Sequence, residues 1–169
     1  MSHAKNKVEW CLRKAENELK TSDKHRGLVK TGSNTDEARA YIRKAEHYLM
    51  ATAHLKGGGF SDISASTVFY SMYHCLLAIA AKFGYESRNQ ECTFALMRSL
   101  IEDSRIDFDE EMLNRIASVE VEHNNPKTSV EVREQYQYGT SLSIKDDIYN
   151  ELFELAQQVI SKAKEIIEE

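Results

Sequence analysis

The sequence predicts an all-α fold, an up-and-down bundle of about five or six helices, and three observations carry that prediction. The first is the stretch Ile63 to Phe83, ISASTVFYSMYHCLLAIAAKF, which holds no proline or glycine and one charge, Lys82. Its apolar residues lie on every side of a helical wheel, the mark of a helix packed all round. The second is the recurrence of apolar residues at three- and four-residue steps through most of the remaining chain. The third is the scarcity of breakers: one proline and seven glycines in 169 residues, three of those glycines in the run Gly57–Gly59. Such a composition favours helix throughout.

Taken in order, Asn6 to Ser22 forms a first amphipathic helix, with Val8, Cys11, Leu12, Ala15 and Leu19 on one face. The polar stretch SDKHRGLVKTGSN reads as a loop. Asn34, with Glu37 three residues on, is a capping signature for a second helix whose inner face is Ala38, Tyr41, Ala45, Tyr48, Thr52 and Leu55. Gly57–Gly59 ends that helix, because glycine alone enters left-handed backbone without a steric cost. Ser61 is placed to cap the central helix and Gly84 to close it, and the short connection makes the second and third helices antiparallel neighbours. A fourth helix is expected over Arg88–Asp103, with Cys92, Ala95, Leu96, Ser99 and Leu100 inward. A fifth starts at an Asp107–Glu110 cap and carries Met112, Leu113, Ile116 and Val119. Periodicity fails at Asn124-Asn125-Pro126, so 123–142 reads as loop. A Ser143–Asp146 cap then opens a last helix with the stripe Ile148, Leu152, Leu155, Val159 and Ile166.

The central stretch is long enough to span a bilayer. Tyr70, Ser71, Tyr73 and His74 in its middle argue against that, since four polar tips are costly in hydrocarbon. No membrane association is therefore expected. A net charge of −5 carries no global basic signature, so contact with nucleic acid would need a local patch. Three cysteines, Cys11, Cys75 and Cys92, are odd in number and far apart, which points to reduced thiols and a cytoplasmic protein. MSHAKNKVEW holds no apolar signal region.

Among motifs that carry chemistry, no two histidines make H-E-x-x-H, and the single E-x-x-H, Glu120 to His123, is half of what a di-iron bundle uses. His47 and His54 share a helix face without an acidic partner set. No metal and no cofactor is expected. G-x-S-x-G, G-x-x-x-x-G-K-[ST] and G-x-G-x-x-G are all missing from the sequence. What is left is a set of polar and aromatic residues: Tyr70, Tyr73 and His74 on the central helix, and Arg133, Tyr136 and Tyr138 after the proline. Tyr70 and His74, four apart, face the same way. The plainer reading makes them rim residues whose tips are satisfied by neighbours.

The stretch ARAYIRKAEHYLMATAHLKGGGFSDISASTVFYSMYHCLLAIAAKFGYES resembles the HEPN superfamily. Its pattern of an amphipathic helix, a glycine turn and a helix A-x-x-x-x-Y-Y-x-x-[YF]-H-x-x-x-A appears here as Ala65, Phe69-Tyr70, Tyr73-His74 and Ala78, with Phe69 for the first tyrosine and Ala65 one residue nearer to it. REQYQYG is similar to the R-x-x-x-D-Y motif of a prokaryotic branch often encoded beside minimal nucleotidyltransferases. The likeness covers about residues 36–165. It implies one domain over 1–169, with 34–169 as core bundle and 1–33 as an N-terminal extension. It also implies a homodimer, a minimal nucleotidyltransferase partner, a toxin–antitoxin-like setting and a nucleotide or RNA ligand held by Tyr70, Tyr73, His74, Arg133 and Tyr136. Ribonuclease members use an Arg, four to six residues and a His, without metal. Here Tyr138 stands where that His would be, after Arg133. A histidine near pKa 6.5 serves as a base at neutral pH, whereas a tyrosine near 10 stays protonated and donates a hydrogen bond. The resemblance therefore implies a binding module first. A metal-independent endoribonuclease with Arg133 and Tyr138 as catalytic residues is the alternative, and a helical protein-interaction module the third reading.

Overall fold

Helix forms wherever the three-and-four stripe runs unbroken, and a short strand pair closes two of the gaps. The computed structural model describes residues 1–117 and 129–169. In order these form α1 (His3–Leu19), β1 (Leu28–Lys30), α2 (Thr35–Gly57), α3 (Ser61–Lys82), β2 (Tyr85–Ser87), α4 (Gln90–Glu102), α5 (Glu110–Ile116), α6 (Ser129–Tyr138) and α7 (Asp146–Glu168). The molecule is an all-α helical bundle with one two-stranded antiparallel sheet, in which Leu28 pairs Ser87 and Lys30 pairs Tyr85.

α3 sits at the centre, with α2, α4, α6, α7 and β2 packed against it. Val68, Phe69, Met72, Leu76 and Ile79 along it are buried. The coverage leaves one side open: Ser66, Tyr70, Tyr73, His74 and Leu77 form a half-buried stripe. α2 runs antiparallel to α3 and approaches it closely. Thr52 and Thr67 share a hydroxyl hydrogen bond of 2.7 Å, the Ser71 hydroxyl donates to the Ala45 carbonyl at 2.7 Å, and the Asn34 amide donates to the Ala81 carbonyl at 3.0 Å. α7 buries Leu152, Leu155, Ala156, Val159, Ile160, Ala163, Ile166 and Ile167, much as its sequence stripe predicts.

Several local expectations are corrected. SDKHRGLVKTGSN is not all loop, because Leu28–Lys30 pairs with β2 and Leu28 is fully buried. Gly84 makes the pairing possible: its φ is +80°, and a Cβ there would meet the Thr31 carbonyl at 3.0 Å. Ser61 is not a cap. Phe60 holds that position, while the Ser61 hydroxyl accepts from the Ile144 amide at 3.1 Å and ties the α6–α7 connection to α3. The fourth helix opens at Asn89 and the fifth at Asp109, each capped by its own side chain. The last helix follows Lys145 without a side-chain cap, so Ser143 does not serve. Residues Ser129–Tyr138, expected in a loop, form α6, and Val130, Val132 and Tyr136 bury one side of it. The helix count among the described residues is therefore seven, not five or six. The Asn34–Glu37 cap forms as expected, at 3.0 Å to the Glu37 amide. Val119, Glu120, His123 and the Asn124-Asn125-Pro126 break lie outside the described residues.

The cysteines give the largest correction. Cys11 and Cys92 form a disulfide, with Cα atoms 5.9 Å apart, and Cys75 is the free, buried thiol. Distance along the chain says nothing of distance across it: α1 lies on α4, and the two residues are inward-facing on both. The disulfide removes thiol pairing as a ground for a reducing compartment. It also matters mechanically. α1 buries only Ala4, Val8, Cys11 and Ala15, all small, and its ion pairs Lys5–Asp103 and Lys7–Glu91 are partly exposed. Small side chains bury little apolar area, so the covalent link is the main clamp on α1. Burial pushes the Cys75 thiol far above the ordinary thiol range. Titration with a thiol reagent should therefore find no reactive thiol in the native protein and one on unfolding. Cys11→Ser should lower unfolding free energy by about 4 kcal/mol, the chain-entropy value for closing so long a loop, measured by urea denaturation.

Candidate functional site

The open stripe on α3 faces the two tyrosines of the α2 inner side. His74 stacks on Tyr48, with ring centroids 5.1 Å apart at 29°, and meets Tyr41 edge-on at 6.1 Å. Tyr48 also contacts Tyr70 at 6.1 Å, and Lys44 lies 5.4 Å over the Tyr48 ring. Tyr70, Tyr48 and His74 thus form a continuous, half-buried aromatic strip along the α2–α3 seam. Their local placement follows from helical spacing: Tyr41 and Tyr48 are two turns apart on α2, Tyr70 and His74 one turn apart on α3.

At the Tyr70 end stands Arg133 of α6. Its guanidinium lies 4.5 Å over the Phe69 ring and 5.9 Å from the Tyr70 ring centre. The side chain is 13% exposed. Among the described residues it meets the carboxylate of the exposed Glu134 at 3.5 Å, a long contact, and its Nε is buried with no hydrogen-bond partner there. The aromatic faces offset part of the cost of burying this cation, but a guanidinium has five donors in a planar fork, and among the described residues the one on Nε has no acceptor.

The sequence-predicted residues are thereby sorted. Arg133, Tyr70 and His74 are joined through one aromatic strip. Tyr73 points elsewhere: its hydroxyl bonds Thr93 at 3.0 Å, Thr93 bonds Ser87 at 2.7 Å, and the chain ties α3 to α4 through β2. That is the plainer reading of a rim tyrosine, realised. Tyr136 is 9% exposed and belongs to the core, and Tyr138 is 77% exposed. Five residues on a helix separate Arg133 and Tyr138 by about 140°, so α6 turns them to different sides. Tyr41, Tyr48, Phe69 and Lys44 are the residues the sequence reading of the site omits. Tyr41 and Tyr48 were legible as inner-face residues of α2, but nothing in the sequence says which α3 residues they meet. Among the described residues, no group of three or more His, Cys, Asp or Glu is placed to hold a metal.

The surroundings of His74 favour its neutral form. The His74 Nδ1 is 2.7 Å from the Tyr70 carbonyl, which can only accept, so Nδ1 carries the hydrogen and Nε2 keeps its lone pair. Desolvation, reinforced by Lys44, lowers the His74 pKa, with the Tyr70 carbonyl opposing. Burial raises the Tyr73 and Tyr41 hydroxyls above their ordinary value. No family model and no curated protein matches the chain.

The His74 shift has a sign. A base whose pKa falls on folding resists protonation in the folded state, so its contribution to stability is present above the unfolded value of about 6.5 and lost as pH drops below it. An NMR titration should place the His74 midpoint below that of an exposed histidine. His74→Gln should flatten the fall in thermal midpoint just below pH 6.5.

Proposed function

We propose that this chain is a HEPN-like module that binds a nucleotide or an RNA end, with Arg133 taking a phosphate and the Tyr48–Tyr70–His74 strip taking the adjoining base. One observation carries the reading. Arg133 is a largely buried cation which, among the described residues, has an unpartnered Nε and one long carboxylate contact, set at the edge of an aromatic strip open to solvent. Burying an incompletely paired charge costs stability, and an anion bound there would supply the missing partner. A phosphate suits the planar fork. Bases stack on aromatic faces with little regard to sequence. Burial keeps His74 toward its neutral form, so its ring presents such a face without adding charge. The HEPN resemblance, residues 36–165, supports the same ligand class and adds a homodimer and a minimal nucleotidyltransferase as expected partners. An all-α bundle with its tyrosine–histidine stripe half-exposed is compatible with that resemblance and does not by itself select it.

The endoribonuclease reading draws support from one feature, the Nε2 lone pair that His74 keeps when Nδ1 bonds the Tyr70 carbonyl, which is a general base in form. Tyr138 does not assist it within one protomer, because α6 directs it away from Arg133.

Fluorescence anisotropy with a 5′-phosphorylated RNA oligonucleotide in EDTA tests both readings. Binding should weaken roughly ten- to a hundredfold in Arg133→Ala, the loss of a charge-assisted contact, and Arg133→Lys should restore little of it. Tyr70→Ala should weaken binding of the RNA more than that of inorganic phosphate. Tyr138→Phe should leave affinity unchanged. Failure of the wild-type protein to bind either probe overturns the binding reading, and cleavage in EDTA that disappears in Arg133→Ala replaces it with catalysis.

A further inference from the structure

The end of α1, the approach to β1 and the end of β2 enclose a polar cavity of about 470 Å³. Backbone contacts hold this corner in shape. Gly27 presses on α1, where a Cβ would run into the Cys11 carbonyl, and its own carbonyl accepts from the Arg88 amide at 3.1 Å. Arg26 and Arg88 are thereby brought to neighbouring positions. His25 lines the cavity with its side chain 4% exposed. Its Nδ1 accepts from the Gly27 amide at 3.3 Å, so Nε2 carries the hydrogen toward Glu86, also at 3.3 Å.

Charge in the corner is unbalanced. Among the described residues, Lys24, Arg26 and Arg88 line it with one carboxylate, Glu18, in a chain whose net charge is −5. The Arg26 amide already donates to Glu18 at 2.5 Å, and Arg88 pairs with Glu86 at 2.6 Å. The Lys24 and Arg26 side chains have no carboxylate partner among the described residues. Gathering like charges costs Coulomb energy that a bound anion recovers. The corner also continues the aromatic strip. From Arg133 the strip runs over Tyr70, Tyr48, His74 and Tyr41, with successive ring spacings of 6.1, 5.1 and 6.1 Å. Tyr41, its last ring, is near enough to Glu86 and Arg88 for both to act on its hydroxyl. Lys44, 5.4 Å from the Tyr48 ring and also without a carboxylate partner among the described residues, stands part-way along.

We propose that this corner is a second phosphate subsite, and that the ligand is a single RNA strand of about four nucleotides or more, with one phosphate on Arg133 and a later one between Lys24, Arg26 and Arg88. The assignment of that phosphate to a strand rests on the nucleotide reading above. Cations spaced along a line of rings match a chain in which phosphates and bases alternate. A lone nucleotide on Arg133 would leave the far half of the path unused. A peptide rich in carboxylates would meet the cations but has no planar groups for the four rings.

Anisotropy with 3′-labelled, 5′-phosphorylated RNA of two and of eight nucleotides, in EDTA, tests the second subsite on the full chain. The wild-type protein should bind the longer strand about tenfold more tightly, the gain of a charge-assisted contact. Arg26→Ala, at an exposed position, should remove most of that gain and leave affinity for the dinucleotide, which does not reach the corner, unchanged. It should also reduce the slope of log affinity against log salt for the longer strand by about 0.7, the counterion release of one phosphate on a single strand. Circular dichroism and thermal midpoint should not move. Lys24→Ala should act in the same direction. A wild-type protein that binds neither RNA overturns the nucleotide reading and this inference with it. Equal affinity for the two lengths overturns the second subsite alone, as does binding of the longer strand whose affinity and salt slope are indifferent to Arg26→Ala.

Discussion

The α2–α3 seam is closed by hydroxyls and small side chains rather than by large ones. Thr52 reaches Thr67, Ser71 reaches the Ala45 carbonyl, and each buried hydroxyl is thereby satisfied. A close approach of this kind leaves no width between the helices for large rings. Tyr41, Tyr48, Tyr70 and His74 are therefore pushed to the mouth of the seam, where they stack on one another half in solvent. Tight packing below and an aromatic strip above are two consequences of one contact.

That seam also limits what covers α3 elsewhere. With α2 held on one side, α6, α7 and α4 take the others, and β2 reaches the helix end. α6 arrives with Val130, Val132 and Tyr136 buried, a register that leaves Arg133 lying across Phe69 rather than in water. The position of the cation is thus set by the apolar residues on either side of it. A net charge of −5 is no obstacle to an anion site built this way, because most of the exposed charges lie beyond a screening length from the largely buried guanidinium.

Legibility followed the range of the interaction. The Asn34–Glu37 cap, the glycine stop at Gly57–Gly59 and the α7 stripe depend on residues three or four apart, and all were readable. Where two local signals competed, the tertiary partner chose. Ser61 looks like a cap but spends its hydroxyl on the Ile144 amide, and Leu28–Lys30 looks like loop until β2 lies beside it. α6 is not legible from the sequence, because Gly139 and the preceding proline frame it in turn chemistry. Without a helix over 129–138 there is no helical angle between Arg133 and Tyr138; with it, the five-residue spacing turns the two apart.

The sequence by itself determined a helical chain with a central helix too apolar to face water and too polar at Tyr70, Ser71, Tyr73 and His74 to face lipid. It also put forward Tyr70, Tyr73 and His74, from residue type and spacing along one helix, and Arg133, Tyr136 and Tyr138, from residue type and the R-x-x-x-D-Y likeness. Tertiary structure alone decided that Cys11 meets Cys92, that Tyr73 is taken by Thr93, that Tyr48 stacks on His74 and that Tyr138 leaves Arg133. Each of those depends on which faces of different helices touch. Periodicity says that a face is apolar; only packing says what it is apolar against.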